Sequence, residues 1–252
     1  MWPWGKSKKF LSPHLEAWQI DVWRYLLRNI EGVETVAARA PLTSGHKMFA
    51  RGPSSDHSSA IILFEDLKDY MGVRDCPAEL VKRTERGGQV DTYMFLQHRG
   101  PLGSYEEIDG RMYITYAPSL LKQPVHLAAV LGHELAHYVL ATIEELPPGA
   151  EDEELILELA TDVAACYFGL GVLYANTAFH FSQTQGFDGQ GWGSAFSGYL
   201  SEEGRIFSLA IHLALRGERE APDLKPELQK MLARAFERID AEPSILSSIR
   251  QV

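Results

Sequence analysis

The stretch from Gln123 to Thr142, QPVHLAAVLGHELAHYVLAT, constrains this chain more than any other. It carries His133-Glu134-Leu135-Ala136-His137, an H-E-x-x-H pattern. On a helix, residues four apart lie on one face, so His133 and His137 can point the same way. Two imidazoles at that spacing can share one zinc ion. Glu134 sits one step round, where it can reach a water on the ion without being a ligand. The pattern needs a helix, and the neighbouring residues supply one. Pro124 suits a first helical position, where its missing N–H costs nothing. The residues after Pro124 are mostly good helix formers, with Gly132 as the weak position. Val125, Ala128, Ala129, Leu131, Leu135, Ala136, Val139 and Leu140 predict a helix buried over much of its circumference. Pro147-Pro148-Gly149 ends it.

A second amphipathic helix is expected over Glu151–Tyr167. Its acidic first turn suits the positive end of a helix dipole. Glu158 and Asp162 are four apart within it and share a face. Leu155, Ile156, Leu157, Leu159 and Ala160 surround Glu158, while Val163 and Ala164 follow Asp162. Carboxylates in so apolar a helix are costly unless paired, hydrogen-bonded or metal-bound. Glu158 is therefore the candidate third ligand; the alternative is a helix edge that meets water.

The pairing of His133-Glu134-Leu135-Ala136-His137 with Glu158-Leu159-Ala160-Thr161-Asp162 resembles the gluzincin branch of zinc metallopeptidases, which includes thermolysin-like and CAAX-prenyl-type enzymes. The resemblance runs from Met112 to Tyr167. It implies that His133, His137 and Glu158 bind zinc, that Glu134 is the catalytic base, and that Asp162 supports a ligand histidine. Thr161 stands where the CAAX-prenyl group usually has alanine, a small change. The chain also lacks the membrane spans of that group. The resemblance thus implies a zincin-like core and says little about substrate.

The remaining residues set broader bounds. At 45% hydrophobic residues, the 252-residue chain has ample material for a core. A net charge of −10 disfavours nucleic acid, since phosphate binding wants a basic face. The start, MWPWGKSKKF, is basic and aromatic but has no apolar segment of signal-peptide type. It reads as a packing or flexible arm more readily than as a membrane-surface contact. No run approaches bilayer-spanning length. Cys76 and Cys166 fall in apolar contexts and read as reduced core residues, which agrees with a cytoplasmic protein.

The expected fold class is α+β: a mostly helical, zincin-like metallopeptidase core with a small mixed β-sheet. Residues 1–88 are expected to form a helical extension packed on a catalytic core of residues 89–252. Helices are predicted over His14–Ile30, Ser58–Tyr70, Val172–Ser182, Glu202–Arg216 and Pro226–Asp240, with a short one over Pro77–Glu85. Strands are predicted over Glu34–Ala40, Lys47–Ala50, Gln89–Gln97 and Arg111–Tyr116, with a turn-rich His98–Gly110 between the last two. By the resemblance, Arg111–Ala117 occupies the position of the zincin strand that pairs with an extended substrate; an internal strand with no free edge is the alternative. The glycine-rich Gln185–Ser194 either lines the cleft or joins two helices.

The chemistry implied is hydrolysis of a peptide bond in a peptide or protein substrate. An oxyanion donor is also required. Tyr199 and His212 are the first candidates, with Arg205 and His180 behind them, and no motif selects among the four. The alternative function is a zincin-fold metal-binding protein with a regulatory or interaction role and no peptidase activity. Glu134 argues against it, because a structural metal site needs no base. A helical protein without metal is the third reading.

Overall fold

The computed structural model describes residues 10–52, 56–83, 102–108, 111–151, 154–184 and 200–252. The strand expected at Gln89–Gln97, the glycine-rich 185–194 and Tyr199 lie outside these residues.

The elements run α1 Pro13–Asn29, α2 Val33–Ala38, α3 His57–Met71, β1 Glu79–Lys82, β2 Gly103–Ile108, β3 Arg111–Tyr116, α4 Pro124–Ala141, α5 Glu154–Tyr167, α6 Gly171–Thr184, α7 Glu202–Leu215, α8 Pro226–Ala241 and α9 Ser244–Arg250. Short polar side chains start several helices. Ser12, Asp56 and Ser201 each accept a hydrogen bond from a main-chain N–H in the first turn of α1, α3 and α7. Gly72 ends α3 at φ 77°, a left-handed conformation that glycine adopts without strain. The fold class is α+β, mostly helical with one small mixed sheet.

The two motif helices lie at the centre. α4 packs against α3, α5, α6, β2 and β3. Contact on so many sides explains why its apolar residues run almost all the way round. α5 packs against α1, α4, α6 and α7, and its residues 159–167 are all buried. The connection from α4 to α5 is tied down by α1. Trp18 Nε1 donates to the Pro148 carbonyl at 2.8 Å, and the Tyr25 hydroxyl donates to the Glu145 carbonyl at 2.6 Å. One continuous cluster of buried side chains runs from Leu11 to Ile249.

The sheet has the order β1-β3-β2, with β1 parallel and β2 antiparallel to β3. Several expected elements differ in the structure. Glu34–Ala40, expected as a strand, is largely the helix α2, because its β-branched residues are too few to establish either period. Lys47–Phe49 is a 3-10 turn rather than a strand. Pro77–Glu85 holds the strand β1 instead of a helix. The turn-rich 98–110 contains β2. Arg111–Tyr116 is a strand, but it is the middle one, so the internal-strand alternative holds and the substrate-pairing role does not fall to it. α9 has no counterpart among the expected helices. Among the described residues, no helix is long and apolar enough to cross a membrane.

Candidate metal centre

His133 and His137 are one turn apart on α4, and Glu158 lies on α5 where the two helices pack together. Their side chains converge. His133 Nε2 is 3.1 Å from His137 Nε2 and 3.2 Å from Glu158 Oε2, and His137 Nε2 is 3.2 Å from Glu158 Oε1. The two imidazole rings stand nearly perpendicular, at 82° with centroids 4.7 Å apart. A third ring, Tyr174 on α6, stacks on His133 at 6.2 Å and 24°.

The donors fit a divalent metal. Ligands about 2.0–2.1 Å from a tetrahedral zinc stand roughly 3.3–3.4 Å from one another. The three spacings here are within a few tenths of an ångström of that. Two imidazoles and one carboxylate form a donor set that catalytic zinc sites use. Such convergence of nitrogen lone pairs on a carboxylate also demands a cation between them, either a proton or a metal. The His133-His137-Glu158 group can therefore hold a metal ion. His133 is buried, at 4% exposure, while Glu158 keeps 29%.

The electrostatics agree. Burial opposes charge on His133, but Asp162 and Glu158 beside it outweigh burial and push its pKa up to about 10. Burial would raise Glu158, but the two histidines hold it down to about 2. Without a metal ion, these opposed shifts favour a proton on His133 facing an ionised Glu158.

Asp162 supports this arrangement from behind. It is fully buried, with Oδ1 3.4 Å from His133 Nδ1. Its other oxygen accepts from the Leu200 main-chain N–H at 2.8 Å and lies 3.6 Å from Arg205 Nε. Arg205, buried on α7, thus sets its charge beside Asp162 as an ion pair.

Glu134 is buried next to the two histidines. Burial raises its pKa, and the charges of His133 and His137 pull the other way. Its carboxylate lies hard against Gly103, the first residue of β2. A methyl group at Gly103 would stand 2.8 Å from Glu134 Oε1 and 2.6 Å from Val130 Cγ1. Glycine is what lets β2 approach α4 so closely.

The structure brings His133, His137, Glu158 and Asp162 together and sets Glu134 beside them. It does not bring in His212. That side chain is fully buried, with Nδ1 3.0 Å from the Cys166 carbonyl and Nε2 3.0 Å from the Arg39 carbonyl. Both ring nitrogens are occupied by main chain, so His212 has none left for an oxyanion. The His180 side chain and Tyr199 lie outside the described residues.

Sequence reasoning misses three participants. Thr161 reads as a small change from alanine, yet its hydroxyl oxygen is 3.2 Å from His137 Nδ1. Its position, near Glu158 and one turn beyond Leu157 on the same helix, is the signal that could have found it. Tyr174 and Gly103 carry no such signal, since each reaches the site from an element distant in the chain. Comparison with models of known protein families, with curated proteins and with solved structures gives no match.

Proposed function

We propose that this protein is a zinc-dependent peptidase with a zincin-like core, in which His133, His137 and Glu158 hold the ion and Glu134 is the general base. The observation that carries this reading is the convergence of the three donors, with Glu158 partly exposed, and a separate carboxylate, Glu134, buried alongside. A structural metal site has no use for that separate carboxylate. Zinc, when bound, supplies Lewis acidity that polarises a carbonyl and makes water acidic near neutral pH.

The chain's own residues do the rest. Glu134 takes the proton from the water as its oxygen bonds to the carbonyl carbon. It then hands that proton to the amine nitrogen as the carbon–nitrogen bond breaks. Burial raises its pKa, which suits a group that must both accept and return a proton. The Asp162 carboxylate, 3.4 Å from His133 Nδ1, favours a hydrogen on that nitrogen, which leaves the Nε2 lone pair for the ion. Among the described residues, β2 pairs with β3 alone. An extended peptide added to its other side by backbone hydrogen bonds would pass Glu134 at Gly103.

The test is a Glu134→Gln variant measured for zinc content and for cleavage of a broad peptide library. Zinc should stay stoichiometric while cleavage falls by about 10²–10⁴-fold. A wild type that holds zinc but cleaves nothing would favour a metal-binding regulatory protein instead.

A further inference from the structure

The two ligand histidines are held from behind in different ways. His133 faces the carboxylate of Asp162, whereas His137 faces a hydroxyl. Thr161 is fully buried on α5. Its Oγ1 donates to the Leu157 carbonyl one turn earlier, at 2.8 Å. The same oxygen lies 3.2 Å from His137 Nδ1.

A hydroxyl has one proton, and a carbonyl oxygen can only accept. Leu157 therefore claims the Thr161 proton, so Oγ1 meets His137 as an acceptor. The hydrogen between them must then sit on His137 Nδ1. In a neutral ring this leaves Nε2 with its lone pair, and Nε2 is the atom 3.1 Å from His133 Nε2 and 3.2 Å from Glu158 Oε1. The opposite tautomer would set the Nδ1 lone pair against a hydroxyl lone pair and place a hydrogen among the ligand atoms.

We infer that Thr161 is a positioning residue: anchored by the Leu157 carbonyl, it locks His137 in the tautomer and orientation that present Nε2 to a metal. This deepens the proposed zinc site and rests on it for the affinity measurement alone. A neutral hydroxyl does this without adding a further negative charge to a site that already has Glu134, Glu158 and Asp162. Alanine at this position could not do it, and valine would fill the space without the acceptor.

The experiment compares wild type, Thr161→Ser and Thr161→Val by zinc competition with a chromophoric chelator, and reads the His137 ring nitrogens by ¹⁵N NMR in metal-free protein. Valine should weaken zinc binding by about 10–100-fold, the usual effect of losing a partner behind a ligand histidine. Serine, which keeps the acceptor, should stay within about threefold of wild type. The wild-type spectrum should place the hydrogen of neutral His137 on Nδ1. Equal zinc affinity for the valine variant and wild type would overturn the inference, as would a hydrogen on Nε2. If the valine variant does not fold, the wild-type spectrum and the serine variant decide. If the wild type binds no zinc, the peptidase reading falls, while the spectrum still judges Thr161.

Discussion

Asp162 shows what a single buried charge does here. One of its oxygens faces His133 and the other holds the Leu200 amide and faces Arg205, and the side chain has no exposure at all. Asp162→Ala would leave Arg205, itself 7% exposed, without its counter-charge. Removing one partner of a buried pair costs about 3–5 kcal/mol. We expect that loss in urea unfolding of the metal-free protein, where zinc cannot confuse the comparison. A loss below about 1 kcal/mol would mean that Arg205 finds water or another partner. Residues of this kind are readable in the sequence, because a carboxylate in an apolar helix stands out against its neighbours. Thr161 is not, since threonine is ordinary in a helix until its hydroxyl is seen between a carbonyl and an imidazole. Arg205 and His212 draw notice for their chemistry, but only the packing shows that Arg205 lies beside Asp162 and that His212 faces two main-chain carbonyls.

At the scale of elements, the long helices are legible because their apolar stripes repeat over several turns. α1, α3, α4, α7 and α8 begin and end within a few residues of expectation. Short elements carry too few residues to establish a period. That is why the α2 segment reads as a strand and the β1 segment as a helix. β2 is a different failure: its GSYEEI is polar, and its strand geometry comes from pairing with β3. The central place of β3 depends on residues 79–82, which no local pattern connects to it. The contact between β2 and α4 is the one that bears on the proposed chemistry. A Gly103→Ala methyl would meet Val130 Cγ1 at 2.6 Å and Glu134 at 2.8 Å, so strand, helix or both must shift. Such overpacking typically costs about 1–3 kcal/mol. We expect Gly103→Ala to unfold at lower urea, to keep full zinc content, and to cleave peptides more slowly because Glu134 is displaced. Unchanged cleavage in a destabilised variant would separate the strand from the base.

For the whole molecule, the same cluster links folding, protons and metal. The raised pKa of His133, about 10 against 6.5, stabilises the metal-free fold fully below pH 6.5, and that stability is lost as pH rises toward 10. The lowered pKa of Glu158, about 2 against 4.5, contributes above pH 4.5 and is lost as pH falls toward 2. Both contributions are present together between about pH 4.5 and 6.5. On the proposed reading, zinc cancels the upper slope. It needs the lone pair of His133 Nε2 and must displace the proton held there, so its apparent affinity should climb by up to about tenfold per pH unit below pH 10. A ligand that binds only the folded chain raises stability by its affinity and concentration. The difference in melting temperature between zinc-loaded and chelator-treated protein should therefore widen from about pH 6 to about pH 8. It should do so because the metal-free curve falls as His133 loses its proton, while the zinc-loaded curve, which holds no such proton, stays nearly level. Calorimetry in two buffers of different ionisation enthalpy should find about one proton released per ion bound. A gap that is flat or narrows with pH would mean that His133 is already deprotonated at Nε2 in the metal-free chain, and that Asp162 and Glu158 do not hold its proton in the way their distances imply.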